Sequence, residues 1–411
     1  QGNLIGTDAN GMAPLPNSLS GVYLSGCSDT RVGGTGNRGN LISGNITDGV
    51  LIFRGQGNVL QGNLIGTDIS GNAALPNGFE GVRLQESDDN NIGGDRGAGE
   101  GNLISCNGWN GVRLSDSSDN YVQGNNIGTA LSGGGGGMGN GINGILIENG
   151  SSGNTVGGDG TQFRNVIASS TSAGVRITGG SQGSSSGNVI RCNHIGTDIS
   201  GLFDLGNGSH GIAIDGADSD GTVIGGPEGL GNLISGNGMN GINIESSQDA
   251  IIEGNRIGTD AGGTAALPNG GCGIFLGIGS GTNHVGTANQ EGGNTVSGNG
   301  NGGIVLSGST SNEIIYNRVG TEWAAQGTSF DMIVGDSQWV GQGVTQVALT
   351  FEFLAKLGKV GTVTFQQGDQ APGRLGNGKI IHREEPQTLA GLFQMTGTTH
   401  ACHCYGTNPV P

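Results

Sequence analysis

The sequence predicts an all-β fold, a parallel β-helix in which the chain coils and stacks short strands turn upon turn. Three observations carry this expectation. A seven-residue string recurs along most of the chain, β-branched residues fall at fixed offsets from each copy, and no helical period intervenes. Of 411 residues, 91 are Gly and 12% are charged. Collagen is excluded, because Gly does not fall at every third position. Disorder is excluded by aliphatics at regular intervals with sparse charge.

The first strand is read from the string GNLIGTD at Gly2–Asp8, which returns unchanged at Gly62–Asp68. Variants begin at Gly124, Cys192, Gly254 and Tyr316, and a second form, GNLISGN, stands at Gly39–Asn45 and Gly231–Asn237. Aligning all copies on Asn gives Asn3, Asn40, Asn63, Asn102, Asn125, Asn165, Asn193, Asn232, Asn255, Asn294 and Asn317. Two residues after each stands Ile or Val, from Ile5 to Val319, which places Asn and the aliphatic on one side of a strand. Stacked Asn side chains can bond one another across turns, which satisfies polar groups at a buried bend.

The second strand follows a G[VI]x[LI] pattern, with inward pairs from Val22/Leu24 to Ile304/Leu306. The third carries Val32, Leu60, Ile92, Val122, Val156, Ile190, Ile224, Ile252, Val285 and Ile314. Three strands per turn and eleven copies of the Asn motif give about eleven turns, a rod of roughly 50 Å at ~4.8 Å per turn.

Loops alternate with the same regularity. From Asn to the next Val or Ile of the second strand is 10 residues in one class of turn and 19 or 20 in the other. The longer class carries GTDxxG, followed in three copies by LPN ending at Asn17, Asn77 and Asn269. The opposite class lengthens the corner before Asn, as in Ile92–Asn102. Two files of loops thus flank the Asn–Ile strand, each recurring every second turn, about 9.6 Å apart.

At Glu322 the pattern stops. Residues 323–411 hold 13 of the 91 Gly but 8 of the 17 aromatics and all three Lys. Alternation in Val347–Leu354 and Val360–Gln366 predicts a hairpin, and the segment is expected to form a small β-rich cap on the end of the helix.

A net charge of −17 argues against nucleic acid as a partner. No apolar stretch approaches the ~18–20 residues of a membrane span. The chain opens at Gln1 in mid-pattern, so any targeting segment is expected to precede it. Its first turn is expected either to continue further sequence or to stack on another copy. Head-to-tail self-association of that kind would propagate into a filament.

The quoted motifs resemble the right-handed parallel β-helix superfamily with the pectin-lyase-like fold over Gly2–Glu322. More narrowly, GNxIGTDxxG is similar to repeats of bacterial secreted and surface proteins. The resemblance implies right-handed coiling, in line with the crossover preference, and an extracellular or cell-surface location. It leaves activity open, since the superfamily contains lyases, hydrolases, epimerases, tailspikes and noncatalytic adhesins.

Catalysis in this setting calls for convergent carboxyls or a base beside an acid. Asp198, with His210-Gly211 downstream, resembles elements of the polygalacturonases, but the paired-Asp element and terminal basic motif of that family are missing. The competing reading is structural: GTDxxG aspartates recur at Asp8, Asp68, Asp198 and Asp260, as acids that shape a turn would. The residue between Asn and Ile is expected to face outward. It reads as an apolar stripe that gives way to His194, Arg256 and Arg318, near Asp198, Asp260 and Glu322. Such a basic row beside acids could grip an anionic sugar chain or move a proton. It could equally be solvated surface with local ion pairs worth under ~1 kcal/mol.

The loop acids offer Ca²⁺ one carboxylate each, against the about six to eight oxygens it takes. His400, Cys402, His403 and Cys404 offer soft ligands, but zinc normally asks for two separated pairs. Cys27, Cys106, Cys192 and Cys272 stand at different phases of the repeat, so no disulfide framework follows. The function expected is an extracellular or surface solenoid with a structural or binding role. The alternative is a lyase or hydrolase acting on an anionic polysaccharide in a groove along the Asn–Ile strand.

Overall fold

A computed structural model describes residues 1–36, 38–180, 183–216, 219–287 and 292–320, and beyond them the backbone of five strands between 348 and 406. Three parallel sheets run the length of the helix, with eleven, ten and ten strands among the described residues. The first collects the Asn–Ile strands from Leu4–Ile5 to Arg318–Val319, the second those from Val22–Ser25 to Ile304–Leu306, and the third those from Arg31–Gly33 to Glu313–Ile314. Among the described residues complete turns are slightly fewer than expected, because the first sheet holds eleven strands and the other two ten each.

Register follows the inward aliphatics. Ile42 pairs with Ile65, Ile104 with Ile127, and Val82 with Val112, so each inward residue sits on its counterpart one turn away. From Ile42 to Val296 these positions form one continuous cluster, fully buried. Strands of two to four residues suffice because each needs only one or two inward side chains, and the parallel ladder supplies the backbone bonds.

The polar interior is richer than expected. Asn102 Nδ2 donates to Asn125 Oδ1 at 3.0 Å, Asn63 to Asn102 at 2.9 Å and Asn232 to Asn255 at 2.9 Å, so the anticipated asparagine ladder is present. A second ladder climbs the corner entering the second sheet, where Asn45, Asn77, Asn107 and Asn140 bond in series. A third enters the third sheet through Asn58, Asn90, Asn120, Asn154 and Asn188. Asn102 and Asn125, for example, each accept a backbone N–H and a side-chain N–H from the neighbouring Asn and also donate to a carbonyl, which meets the demands of a corner stripped of water.

The hairpin expected after the helix is formed by Ala348–Phe353 and Lys359–Phe365, paired antiparallel. The capping role expected of 323–411 lies outside the described residues. No helix among them is long and apolar enough to cross a membrane.

Candidate functional site

The outer face of the first sheet departs from expectation. Instead of a solvated stripe, Leu41, Leu103, Asn126, Val166, His194 and Leu233 are all buried. The cause is the GTDxxG loops, which fold back over the sheet. They join one another two turns apart: Ile69 N–H donates to Gly11 O, Leu131 to Gly71, Ile199 to Gly133 and Ala261 to Gly201. The approach is close enough to demand Gly. At Gly201, where φ is +68°, an added Cβ would lie 2.6 Å from Leu233 Cδ2 and 3.1 Å from His194 Cε1.

The loop acids act inside their own turns. Asp198 Oδ1 accepts the N–H groups of Leu202 and Phe203, both at 3.1 Å, and Ser200 Oγ at 2.9 Å. Asp68 does the same with Asn72, Ala73 and Ser70, and Asp260 with Thr264 and Ala265. Burial works to raise the Asp68, Asp198 and Asp260 carboxyls, but the donors outweigh it and all three end below the usual range. Among the described residues no group of three or more acids, His or Cys is arranged to hold a metal ion.

His194 sits under its loop at 5% exposure, with Nδ1 3.2 Å from the Asp198 carbonyl. Burial, and then the Arg164 charge, push its imidazole down to about 4. Arg256 is exposed and donates to the Ala261 carbonyl of its own loop, and Arg318 is exposed on the last strand of the sheet. The basic row is therefore one covered neutral residue and two surface cations rather than a continuous strip. His210 lies at the far end of the Asp198 loop, where its Nδ1 accepts from Asn240 N–H. Glu322 and His400 lie outside the described residues, and of Cys402, His403 and Cys404 only the strand backbone is described. A cleft of about 450 Å³ opens on this face near Leu4, Leu41 and Leu64, lined by Gly, Asn and aliphatics with no ionisable side chain.

Positive charge gathers instead at the corner leading into the first sheet. Arg96 N–H donates to the Gln162 carbonyl at 2.9 Å, tying two long corners together. Its Nη2 donates to Asn126 Oδ1 at 2.5 Å. Arg164 Nε donates to the Cys192 carbonyl at 3.2 Å, and Arg191 Nη2 meets Asp159 Oδ1 at 2.8 Å. Burial and the Arg164 charge push Arg96 down to about 10, and burial also lowers Arg164.

The second sheet shows a different outer face. Arg83 and Arg113 stand in register, as do Ser115 and Glu148 on the next outward row. Arg113 bridges Glu148 and the fully buried Glu80, the latter at 3.4 Å. Burial, reinforced by the Asp48 carboxylate, pushes Glu80 up to about 7. At the corner beside this face an exposed column climbs from Phe79 to Trp109 to Ile142. Its backbone is joined by Trp109 N–H to Phe79 O and Ile142 N–H to Trp109 O. The rings of Phe79 and Trp109 stack with centroids 4.4 Å apart. Tyr23, Phe53 and Phe275 point outward from the same sheet, so five of the nine aromatics before residue 323 serve one face. Sequence reading missed the concentration, because the column keeps its place in the repeat but not its residue type.

Among solved structures the chain is similar to a mutant of the periplasmic alginate epimerase AlgG, at 14% identity over 76% of this chain and 80% of that one, with a TM-score of 0.37. It is similar to the Dettilon tailspike protein gp208 at 17% identity over 85% and 68%, TM-score 0.37. A third is the A-module of Azotobacter vinelandii mannuronan C-5 epimerase AlgE4, at 15% identity over 77% and 83%, TM-score 0.33. No family model matches the chain, and no curated protein does. Likeness at this level says nothing of activity, and the parallel β-helix rests on the strand pairing itself.

Proposed function

We propose that the chain is an extracellular or cell-surface β-solenoid that binds a polysaccharide along the outer face of its second sheet. The observation that carries this is the stacked, exposed Phe79–Trp109 pair beside the Arg113–Glu148 row. The exposed part of the stacked rings offers rigid apolar area to the C–H groups of a sugar ring, and the neighbouring ions offer donors and acceptors to its hydroxyls. Phe79 and Trp109 stand one turn apart, about 4.8 Å, and a second ion pair, Arg176–Asp215, lies two turns beyond Arg113–Glu148 on the same sheet, an arrangement that suits a linear polymer lying along the axis.

The alternative, an enzyme in the groove of the Asn–Ile strands, would draw on His194, Asp198, Arg256 and Asp260. Two of these four are carboxylates already committed to loop backbone, and the third is a covered neutral imidazole.

Affinity electrophoresis and calorimetry against neutral and uronic-acid polysaccharides test the proposal. A retarded wild type and at least about tenfold weaker binding by Trp109→Ala are expected, since loss of a central aromatic anchor typically costs about 2 kcal/mol or more. Equal binding by wild type and variant would sink it. Release of unsaturated or reducing ends, abolished by one substitution under the GTDxxG loops, would favour the enzyme.

A further inference from the structure

We propose that Arg96, Arg164 and Arg191 form a binding site for an oxyanion, a carboxylate, sulfate or phosphate group carried by a ligand, at the corner leading into the first sheet. This site is separate from the polysaccharide face proposed on the second sheet and goes beyond it.

Positive charge at this corner lacks compensation. Arg96 and Arg164 are half-buried, and neither forms an ion pair among the described residues. They belong to corners two turns apart that the Arg96–Gln162 backbone bond holds together. Arg164 and Arg191 both bear on the Cys192 thiol, and Arg164 and Arg96 both bear on His194 beneath them. The Nε groups of Arg96 and Arg191 are buried with no hydrogen-bond partner. Placing like charges together and out of water is unfavourable unless something of opposite sign joins them.

The acids of these corners do not supply it. Asp95 Oδ1 accepts Gly97 and Ala98 N–H, Glu100 Oε2 accepts Asp95 N–H, and Asp159 pairs with Arg191 from an exposed position. Planar guanidinium groups with free N–H edges suit the paired oxygens of an oxyanion. The chain carries a net −17, so its long-range field repels anions and any binding here must come from local geometry.

The test is calorimetric titration of the full chain with sulfate, inorganic phosphate and acetate in turn, each against chloride at equal ionic strength. Saturable one-to-one binding of at least one oxyanion is expected, with chloride at least tenfold weaker. Arg96→Gln and Arg164→Gln should each weaken binding at least tenfold, while Arg54→Gln, which removes an exposed partner of Glu86, leaves it unchanged. Arg164→Lys, which keeps the charge and loses the fork, should fall between. Circular dichroism checks that each variant is folded; should both Gln variants unfold, Arg164→Lys and the wild-type anion series decide. Binding no tighter than chloride, or equal loss in Arg54→Gln, overturns the site.

Discussion

Glu80 and His194 carry the large displacements among the carboxyl and imidazole groups, and they move stability in opposite directions with pH. Glu80, held up to about 7 by burial and Asp48, is favoured protonated in the fold. Its contribution is therefore full below its ordinary value of 4.5 and is lost as pH rises through 7. Glu80→Gln should raise the unfolding free energy read from urea titration at pH 8, by at most on the order of 3 kcal/mol, and leave that at pH 4 little changed. A variant destabilised equally at both values would show that the carboxylate is stabilised by Arg113 rather than strained by burial. His194, held down to about 4, is favoured neutral. Its contribution is present above 6.5 and is lost as pH falls through 4, so His194→Gln should make the acid limb of the stability curve shallower across that window. An acid limb of unchanged slope would mean that the ring takes up its proton without opening the loop.

Elements differ in how far the residues announce them. The strands were legible because one physical demand, a β-branched side chain facing inward, recurs at a fixed offset, and Ile65, Ile104 and Ile127 stack as that offset requires. The asparagine ladder from Asn3 to Asn317 was read with them, whereas the other two were missed although their offsets are as regular. Asn45, Asn77 and Asn107 stand five residues before Val50, Val82 and Val112, and Asn58 and Asn90 two before Leu60 and Ile92. The loops were not legible in the same way. Their length shows that chain is spare, but not that it folds back onto Leu103 and Leu233 instead of standing in solvent. Arg96 and Arg164 were hidden too, since they lie in corners of different length with no common register. The loop ladder yields its own prediction. Asp68→Ala removes the acceptor for Asn72 and Ala73 N–H, and should cost about 1–3 kcal/mol. Hydrogen exchange should quicken at Ile69 and Leu131, which join this loop to its neighbours, while Ile104 within the sheet keeps its protection. Uniform loss along the sheet would mean that loops and core unfold as one unit.

At the scale of the whole molecule, the alternation of loops makes two turns, not one, the unit that can be removed. Each turn contacts only its neighbours, so stability is approximately a sum over turns and their interfaces. The GTDxxG loops, however, bond across two turns, with Leu41, Leu103 or Leu233 of the intervening strand beneath them. Deleting residues 63–124 joins Gly62 to Asn125, keeps all three asparagine ladders in phase and leaves loops about 9.6 Å apart. That protein should unfold in one cooperative transition with a denaturant slope about a fifth smaller than that of the intact helix. Deleting residues 102–124 removes only one turn and far less buried surface, yet it sets the loops after Asn63 and Asn125 on adjacent turns, about 4.8 Å apart. Leu131 N–H then loses the spacing at which it reaches Gly71, and the loops compete for one strip of sheet. The smaller deletion should therefore be the more damaging, with a lower urea midpoint and fast exchange throughout both loops. If the single-turn deletion proves as stable as the two-turn one, the loops are passengers on the solenoid, and the sheet beneath them does not need their cover.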